Sequence, residues 1–389
     1  MNKKYFFEKG IAFFNILLIL FNPLLGIYFS IFNKNIKIMG GLLVLISSLI
    51  LLSKFNINIS GDDTFAYINT FLHLDSFSNV LQTSLIYSAS FDPLFWYPVF
   101  SISLFTDNVN IFLFICHFFA LLILYYSYYK IAKEDTIFIF VLLLSTATFY
   151  YLYGNAIRQA FVVSLSVLFL YYLIEGENKK ALLLSVITIF VHPTGILLVV
   201  VWIFSKINIK YIYILLLFSF ILQFFPILNL FGHFVDLLGL SHIANKAIGY
   251  SHNKSQNSLF SVSSLLFFFV LFIYLIVKKY FKEFKYFVII KVYFIYEAFY
   301  LIFLSNSIIS NRIFSFRGVL DGLVITLLLS YFKQKKFLKI FIVGLFFILN
   351  ILNLTVGDIN NFLYMKENNL IDLNIIDLFN LIEKKLERF

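Results

Sequence analysis

Of the thirty lysines and arginines in this 389-residue chain, only four are arginines. Three of these, Arg158, Arg312 and Arg317, stand beside apolar stretches; lysine supplies most other positive charge, in short runs between such stretches. Arginine carries a planar fork that grips a carboxylate or phosphate at two points and does not lose its charge. Three such forks in apolar surroundings point to an anionic ligand held at or within a membrane. Arg158 also has company. Asn155, Arg158 and Gln159 are spaced i, i+3 and i+4, so on a helix they share one face. The amino terminus of that helix adds partial positive charge aimed at the same place. The plainer alternative is an interfacial arginine that snorkels to headgroups; the flanking amides favour a recognition surface.

Other residues could complete such a site. His192 lies in an apolar run and is followed by Pro193-Thr194-Gly195. That sequence breaks a helix and exposes backbone groups, as happens around a cavity. An imidazole there could act as a base or as a phosphate partner. His117 has no such break and reads as a structural histidine. Gly61-Asp62-Asp63-Thr64 leads toward Tyr67, and Asp92-Pro93 follows about thirty residues on; each aspartate is either a helix cap or a carboxylate for sugar hydroxyls or a proton. Arg312 and Arg317 sit on a segment read as an outward loop, 305–317, where they could hold the charges of a diphosphate. His233, His242 and His252 match no metal spacing, so no metal is expected. The lone Cys116 cannot make an internal disulfide.

The elements that must position these residues follow from composition. The chain is 61% hydrophobic and 13% charged, where a soluble domain is about a quarter charged. It therefore reads as an all-α, polytopic integral membrane protein of about ten to twelve transmembrane helices, with one or two broken or re-entrant segments. Apolar runs cover about 11–32, 36–53, 108–130, 136–153, 157–174, 181–204, 211–231, 259–280, 286–304, 318–332 and 338–356, with a shorter run at 92–105. No cleavable signal peptide is expected. Residues 1–356 form one polytopic domain with outward loops at about 54–107, 232–258 and 305–317. Residues 357–389 form a tail whose stripe Ile371, Ile375, Leu378, Ile382 and Leu386 predicts an amphipathic helix. The net charge of +10 concerns orientation rather than nucleic acid, because the lysines fall between spans. Lys130, Lys133 and the clusters at Lys278–Lys285 and Lys333–Lys339 all reach the cytoplasm if 181–204 enters and returns, with 92–105 not crossing. Ten crossings then remain, with both termini outside.

Taken together, the motifs resemble the EpsG family of bacterial polysaccharide polymerases, relatives of the Wzy O-antigen polymerases. The matching series is Gly61-x-Asp63-x-x-x-Tyr67, Asp92-Pro93-Leu94-Phe95, Asn155-x-x-Arg158-Gln159 and His192, covering about 40–205, with looser agreement through Arg312 and Arg317. Thr64 departs from the aromatic usual after the aspartate, and Pro-Thr-Gly follows His192 where an aromatic and a small hydroxyl residue are more usual. The resemblance implies a glycosyltransferase in the bacterial inner membrane. It would join undecaprenyl-diphosphate-linked oligosaccharide repeat units on the outer face into O-antigen, capsule or exopolysaccharide. Arg158, Arg312 and Arg317 would bind the departing diphosphate. His192 or Asp63 would be the base, and Asp62, Tyr67, Asp92, Asn155 and Gln159 would contact sugar or support the site. The reaction needs no cofactor. Expected partners are the lipid-linked substrate, the bilayer, a chain-length regulator and a flippase, and no nucleic acid. Two other classes stay open: a flippase of lipid-linked sugars, which would show matching broken helices in its two halves, and another polyprenyl-phosphate glycosyltransferase or a sugar acyltransferase.

Overall fold

The structure, a computed structural model, describes residues 3–30, 63–225, 262–278, 284–332 and 335–355. The run 36–53, Gly61 and Asp62, the loop 232–258 and the tail 357–389 lie outside the described residues. Within them the chain is all-helical and forms no β-strand. The helices are α1 (Lys3–Phe21), α2 (Pro23–Phe29), α3 (Asp63–Leu72), α4 (Val80–Ser88), α5 (Pro93–Ser103), α6 (Val109–Ala132), α7 (Thr136–Leu144) and α8 (Ala147–Gly154). They continue with α9 (Ile157–Ile174), α10 (Asn178–Ile189), α11 (Ile196–Ser205), α12 (Ile209–Leu222), α13 (Val262–Val277), α14 (Phe284–Ile302), α15 (Ser307–Leu329) and α16 (Lys335–Thr355).

Two helical stretches are long and apolar enough to cross a membrane, Val109–Leu144 and Ile157–Ile174; shorter apolar helices include Pro193–Ser205 and Ile209–Leu222. The helices start where a side chain can replace a missing backbone acceptor. The Oδ1 atoms of Asn22, Asn108, Asn208 and Asn306 accept from backbone N–H groups in the first turns of α2, α6, α12 and α15. Thr146 does the same for α8.

The chain divides into two compact units. In the first, α3, α4 and α5 follow one another and pack together, and α3 and α5 also rest on α6. Phe71 of α3 stacks on Phe112 of α6 at 4.5 Å. The chain then reverses at Lys133, whose φ of +43° is left-handed, and α7 returns along α6. Lys339 of α16 pairs with Asp135 in that turn. The first part of α9 and the segment 189–193 complete this unit. In the second, α14 is the centre: α11, α12 and α15 pack on it, and α13 packs on α15. The Tyr213 and Tyr274 hydroxyls share a hydrogen bond of 2.7 Å, and buried Lys291 of α14 donates to the Ser205 carbonyl at the end of α11.

Three expectations meet the structure here. The break at His192-Pro193 is present: α10 ends at Ile189, a single 3-10 turn covers Pro193–Gly195, and α11 starts at Ile196. The run 136–153 is not one helix, as expected, but two. Ser145 turns its hydroxyl back to the Val141 carbonyl and Thr146 caps the next helix, so the ladder stops and restarts. The segment 305–317 is not a loop. Asn306 caps α15, which runs unbroken from Ser307 to Leu329 and so carries both Arg312 and Arg317 within a helix.

Candidate functional site

The first unit gathers most of the residues singled out in the sequence. Asp63 opens α3, and Thr64 and Tyr67 follow it on the buried side. Asp92 is the residue before Pro93 at the start of α5; its carbonyl accepts from the Phe95 and Trp96 N–H groups and anchors the first turn. Proline fits there because the first helical N–H has no partner to lose. Asn155 stands in the turn between α8 and α9, and Arg158 and Gln159 lie in the first turn of α9. Asp63 and Gln159, the two ends of this set, are 96 positions apart in the chain, and helix packing closes the gap.

At the centre, Arg158 Nη1 donates to Asp92 Oδ2 at 2.5 Å, with both side chains buried. The guanidinium lies over the Tyr67 ring, 5.0 Å from its centroid, a cation–π arrangement. Asp63, half-buried, lies within electrostatic range of the same guanidinium. Asn155 Oδ1 accepts from both the backbone N–H and the hydroxyl of Thr64, each at 3.3 Å. That contact pins the start of α3 to the turn before α9. Behind the pair, Tyr67 packs against Phe95 and Trp96, and Trp96 Nε1 donates to the Ser90 hydroxyl at 3.1 Å. Gln159 and His192 are buried in this unit too. The segment before His192 is tied to α5: the Leu94 N–H donates to the Phe190 carbonyl at 3.0 Å.

The Arg158–Asp92 pair is one-pronged. Asp92 Oδ1 and Arg158 Nε are both buried and without a hydrogen-bond partner. Polar atoms of this kind are ordinarily satisfied, so the pair holds unused capacity for one further donor and one further acceptor. Burial pushes the Asp92 carboxyl above the ordinary aspartate range, and the neighbouring Arg158 opposes that shift. Beside the pair lies a cavity of about 420 Å³ between α5, α6 and α9. Its wall includes Leu94, Phe95, Phe161 and Val191, which lie within three residues of Asp92, Arg158 or His192 in the chain, and no residue of the ion pair.

The other two arginines belong to the second unit. Arg312 is half-buried on α15. Arg317, expected to bind a diphosphate, is completely buried and has two carboxylates beside it. Nη1 bonds Glu297 Oε2 at 2.8 Å, and Nη2 lies 3.5 Å from Asp321 Oδ2. The Tyr293 hydroxyl donates to Asp321 Oδ1 at 2.8 Å, and the guanidinium sits 4.6 Å from the Phe314 ring centroid. Sequence reasoning passed over Glu297 and Asp321. An acid in the apolar run 286–304, and another four residues after Arg317 on a helix, were the available signals. Thr64 was noted only as a departure from a pattern; its partner Asn155 gives it a positioning role.

A sequence profile of the EpsG family matches residues 41–365. Two relatives are named EPS I polysaccharide export inner membrane protein EpsF. One is from Ralstonia solanacearum, 31% identical over 105 residues; the other, from Ralstonia nicotianae, is 30% identical over 105. The aligned stretch is 26% of this chain, and the chain spans 25% of the length of each relative. No solved structure matches. The profile takes in every motif of the buried cluster, from the start of α3 to His192, and most of the chain besides; the protein belongs to the EpsG family.

Proposed function

We propose that this protein polymerises lipid-linked oligosaccharide repeat units into a surface polysaccharide on the outer face of a bacterial inner membrane. The observation that carries the reading is the one-pronged Arg158–Asp92 pair, buried and framed by Tyr67, Asn155 and Asp63, with an apolar cavity lined by the nearby Leu94, Phe95 and Phe161. A glycosyl diphosphate on a polyprenyl carrier is an anionic group between a sugar and a long apolar tail. Its binding site needs a fixed cation, polar groups on one side and an apolar space on the other.

The chemistry follows from these groups. A hydroxyl of the incoming unit's terminal sugar attacks the anomeric carbon of the growing chain. The bond from that carbon to the diphosphate oxygen breaks, and the electron pair leaves with the diphosphate. Arg158 stabilises the developing charge, and its effect is large because the site is buried. Asp92 holds the guanidinium in place before substrate arrives. The proton of the attacking hydroxyl goes to Asp63 or His192. Thr64 and Asn155 fix the position of Asp63 relative to Arg158. In the topology that goes with this reading, about ten helices cross the bilayer, the lysine-rich turns face the cytoplasm, and the motif-bearing ends face outward. The EpsF relatives, named as inner membrane proteins of polysaccharide export, support a polysaccharide-related membrane role.

The test is polymer length on a gel of surface polysaccharide from cells lacking the gene, complemented with wild type or with Arg158→Ala. The expected result is a single repeat unit in the deletion strain, a ladder with wild type, and no ladder with the variant at equal protein level. Loss of all surface material with lipid-linked units trapped inside would replace the reading with a flippase. An unchanged ladder in every strain would end both.

A further inference from the structure

We propose that Lys206 and Lys291, where the start of α10 meets the end of α11, hold the phosphate of an anionic phospholipid. Nothing in this site depends on what Arg158 binds.

Helices α10 and α11 have 12 and 10 residues, so they rise only about 18 and 15 Å against a hydrocarbon layer roughly 30 Å thick. Their outer ends meet. The Asn178 carbonyl, at the start of α10, accepts from Trp202 Nε1 at 3.3 Å. Asn178 Oδ1 accepts from Lys206 Nζ, just past the end of α11, and that ammonium also lies 5.2 Å from the Trp202 ring centroid. From α14, Lys291 Nζ donates to the Ser205 carbonyl at 2.6 Å. All of these residues belong to the second unit.

Every one of these hydrogen-bond acceptors is neutral. Lys291 is only 7% exposed, Lys206 lies within electrostatic range of it, and neither lysine is in an ion pair among the described residues. The acid beside Asn178 in the chain, Glu177, is taken by Lys180 at 2.7 Å. The carbonyl end of a helix offsets about half of one charge, and two charges are present here. An ammonium carries three N–H donors, and Lys291 uses one of them on Ser205. Charges in apolar surroundings are ordinarily paired, so this cluster is short of an anion with several acceptor oxygens, and a phosphodiester is one.

The surface beside the lysines suits a lipid-borne phosphate. Ile196 and Ile203, 53% and 50% exposed, stand at i and i+7, and Lys206 follows at i+10. The exposed apolar side of α11 therefore runs down to the ammonium, as an acyl chain runs down to its headgroup. Tryptophan and lysine are also the side chains that anchor at headgroup level. Lys179, Lys180, Lys206 and Lys210 crowd this end, which by the charge rule faces the cytoplasm, where anionic lipid gathers.

The experiment uses the full chain, delipidated in detergent, with native mass spectrometry and Tm as readouts. Phosphatidylglycerol, phosphatidylethanolamine or inorganic phosphate is added in turn. Phosphatidylglycerol should bind and raise Tm, and the other two should not. Lys206→Gln and Lys291→Gln, which each keep a donor, should weaken that binding at least tenfold. Lys210→Gln, at an exposed position in the first turn of α12, should leave it unchanged. If Lys291→Gln fails to fold, the exposed Lys206→Gln decides alone. No binding, equal binding of phosphatidylethanolamine, or equal loss with Lys210→Gln overturns the site. An equal rise in Tm with inorganic phosphate overturns the phospholipid and leaves a site for a free anion.

Discussion

Arg158 and Arg317 are the two most deeply buried arginines among the described residues, and their surroundings differ in charge. Arg158 has one carboxylate in direct contact, held by one of its nitrogens, and an unused oxygen on the partner. Arg317 has two carboxylates, one of them anchored by a tyrosine hydroxyl. In a lipid surround, apolar burial does little to drive helices together, and polar contacts carry much of the specificity. The Arg317 cluster joins α14 to α15 through two carboxylates, and Glu297 Oε1 is buried there without a hydrogen-bond partner. The Arg158 pair joins α5 to α9 and is left short of partners. The two sites differ in charge balance: Arg317 has two carboxylates in direct contact, and Arg158 has one, with Asp63 further off.

Substitutions should separate the two sites, and the largest effect falls on the architectural one. Arg317→Ala leaves two buried carboxylates without a counter-charge and should cost about 3–5 kcal/mol, enough to remove folded protein; membrane abundance and Tm both report it. Asp321→Asn at the same cluster should be mild, because Glu297 still matches the arginine. Arg158→Lys should do the reverse of Arg317→Ala: Tm close to wild type, and polymer formation reduced about a hundredfold, since an ammonium cannot reproduce the fork that serves Asp92 and a phosphate together. Equal loss of stability at both arginines would erase the contrast.

Asp92 sharpens it through pH. Its carboxyl is pushed above the ordinary aspartate value of 3.8, so the neutral form is the one burial favours. The stability it contributes is full below the ordinary value and is lost as pH rises through the raised one. Acid should therefore disarm this site without unfolding it. Activity should fall on acidification at a pH above 3.8 while Tm does not fall with it, and Asp92→Asn, roughly tenfold less active, should lack that acid limb. Tm and activity falling together would assign Asp92 to architecture. The smallest effect is expected at Thr64→Val, which removes one of two bonds to Asn155, worth about 1 kcal/mol, and should slow polymer formation about fivefold with no change in Tm beyond a few degrees.

Much of this was legible in the sequence because local rules sufficed. The apolar run 157–174 and the Pro193 break are short-range features, and the structure follows them. The convergence of Asp63, Tyr67, Asp92 and Arg158 was legible only as a series of motifs resembling a family; nothing in their spacing states that they touch. What stayed hidden was of two kinds. The break at Ser145-Thr146 leaves no mark on hydropathy, because both residues sit in an apolar run and act through backbone bonds. The pairing of Arg317 depends on Glu297, twenty residues earlier on another helix, which no local spacing reveals.

The reversal at Lys133 decides where the charged residues of this stretch fall. As a single rod, Val109–Leu144 would measure about 54 Å, well beyond a hydrocarbon layer of roughly 30 Å. The left-handed turn, flanked by exposed Lys133 and Glu134, folds that length back on itself. What an overlong apolar rod would spread along its length is gathered into a helical hairpin, with α6 and the shorter α7 side by side and the charged residues collected at the bend.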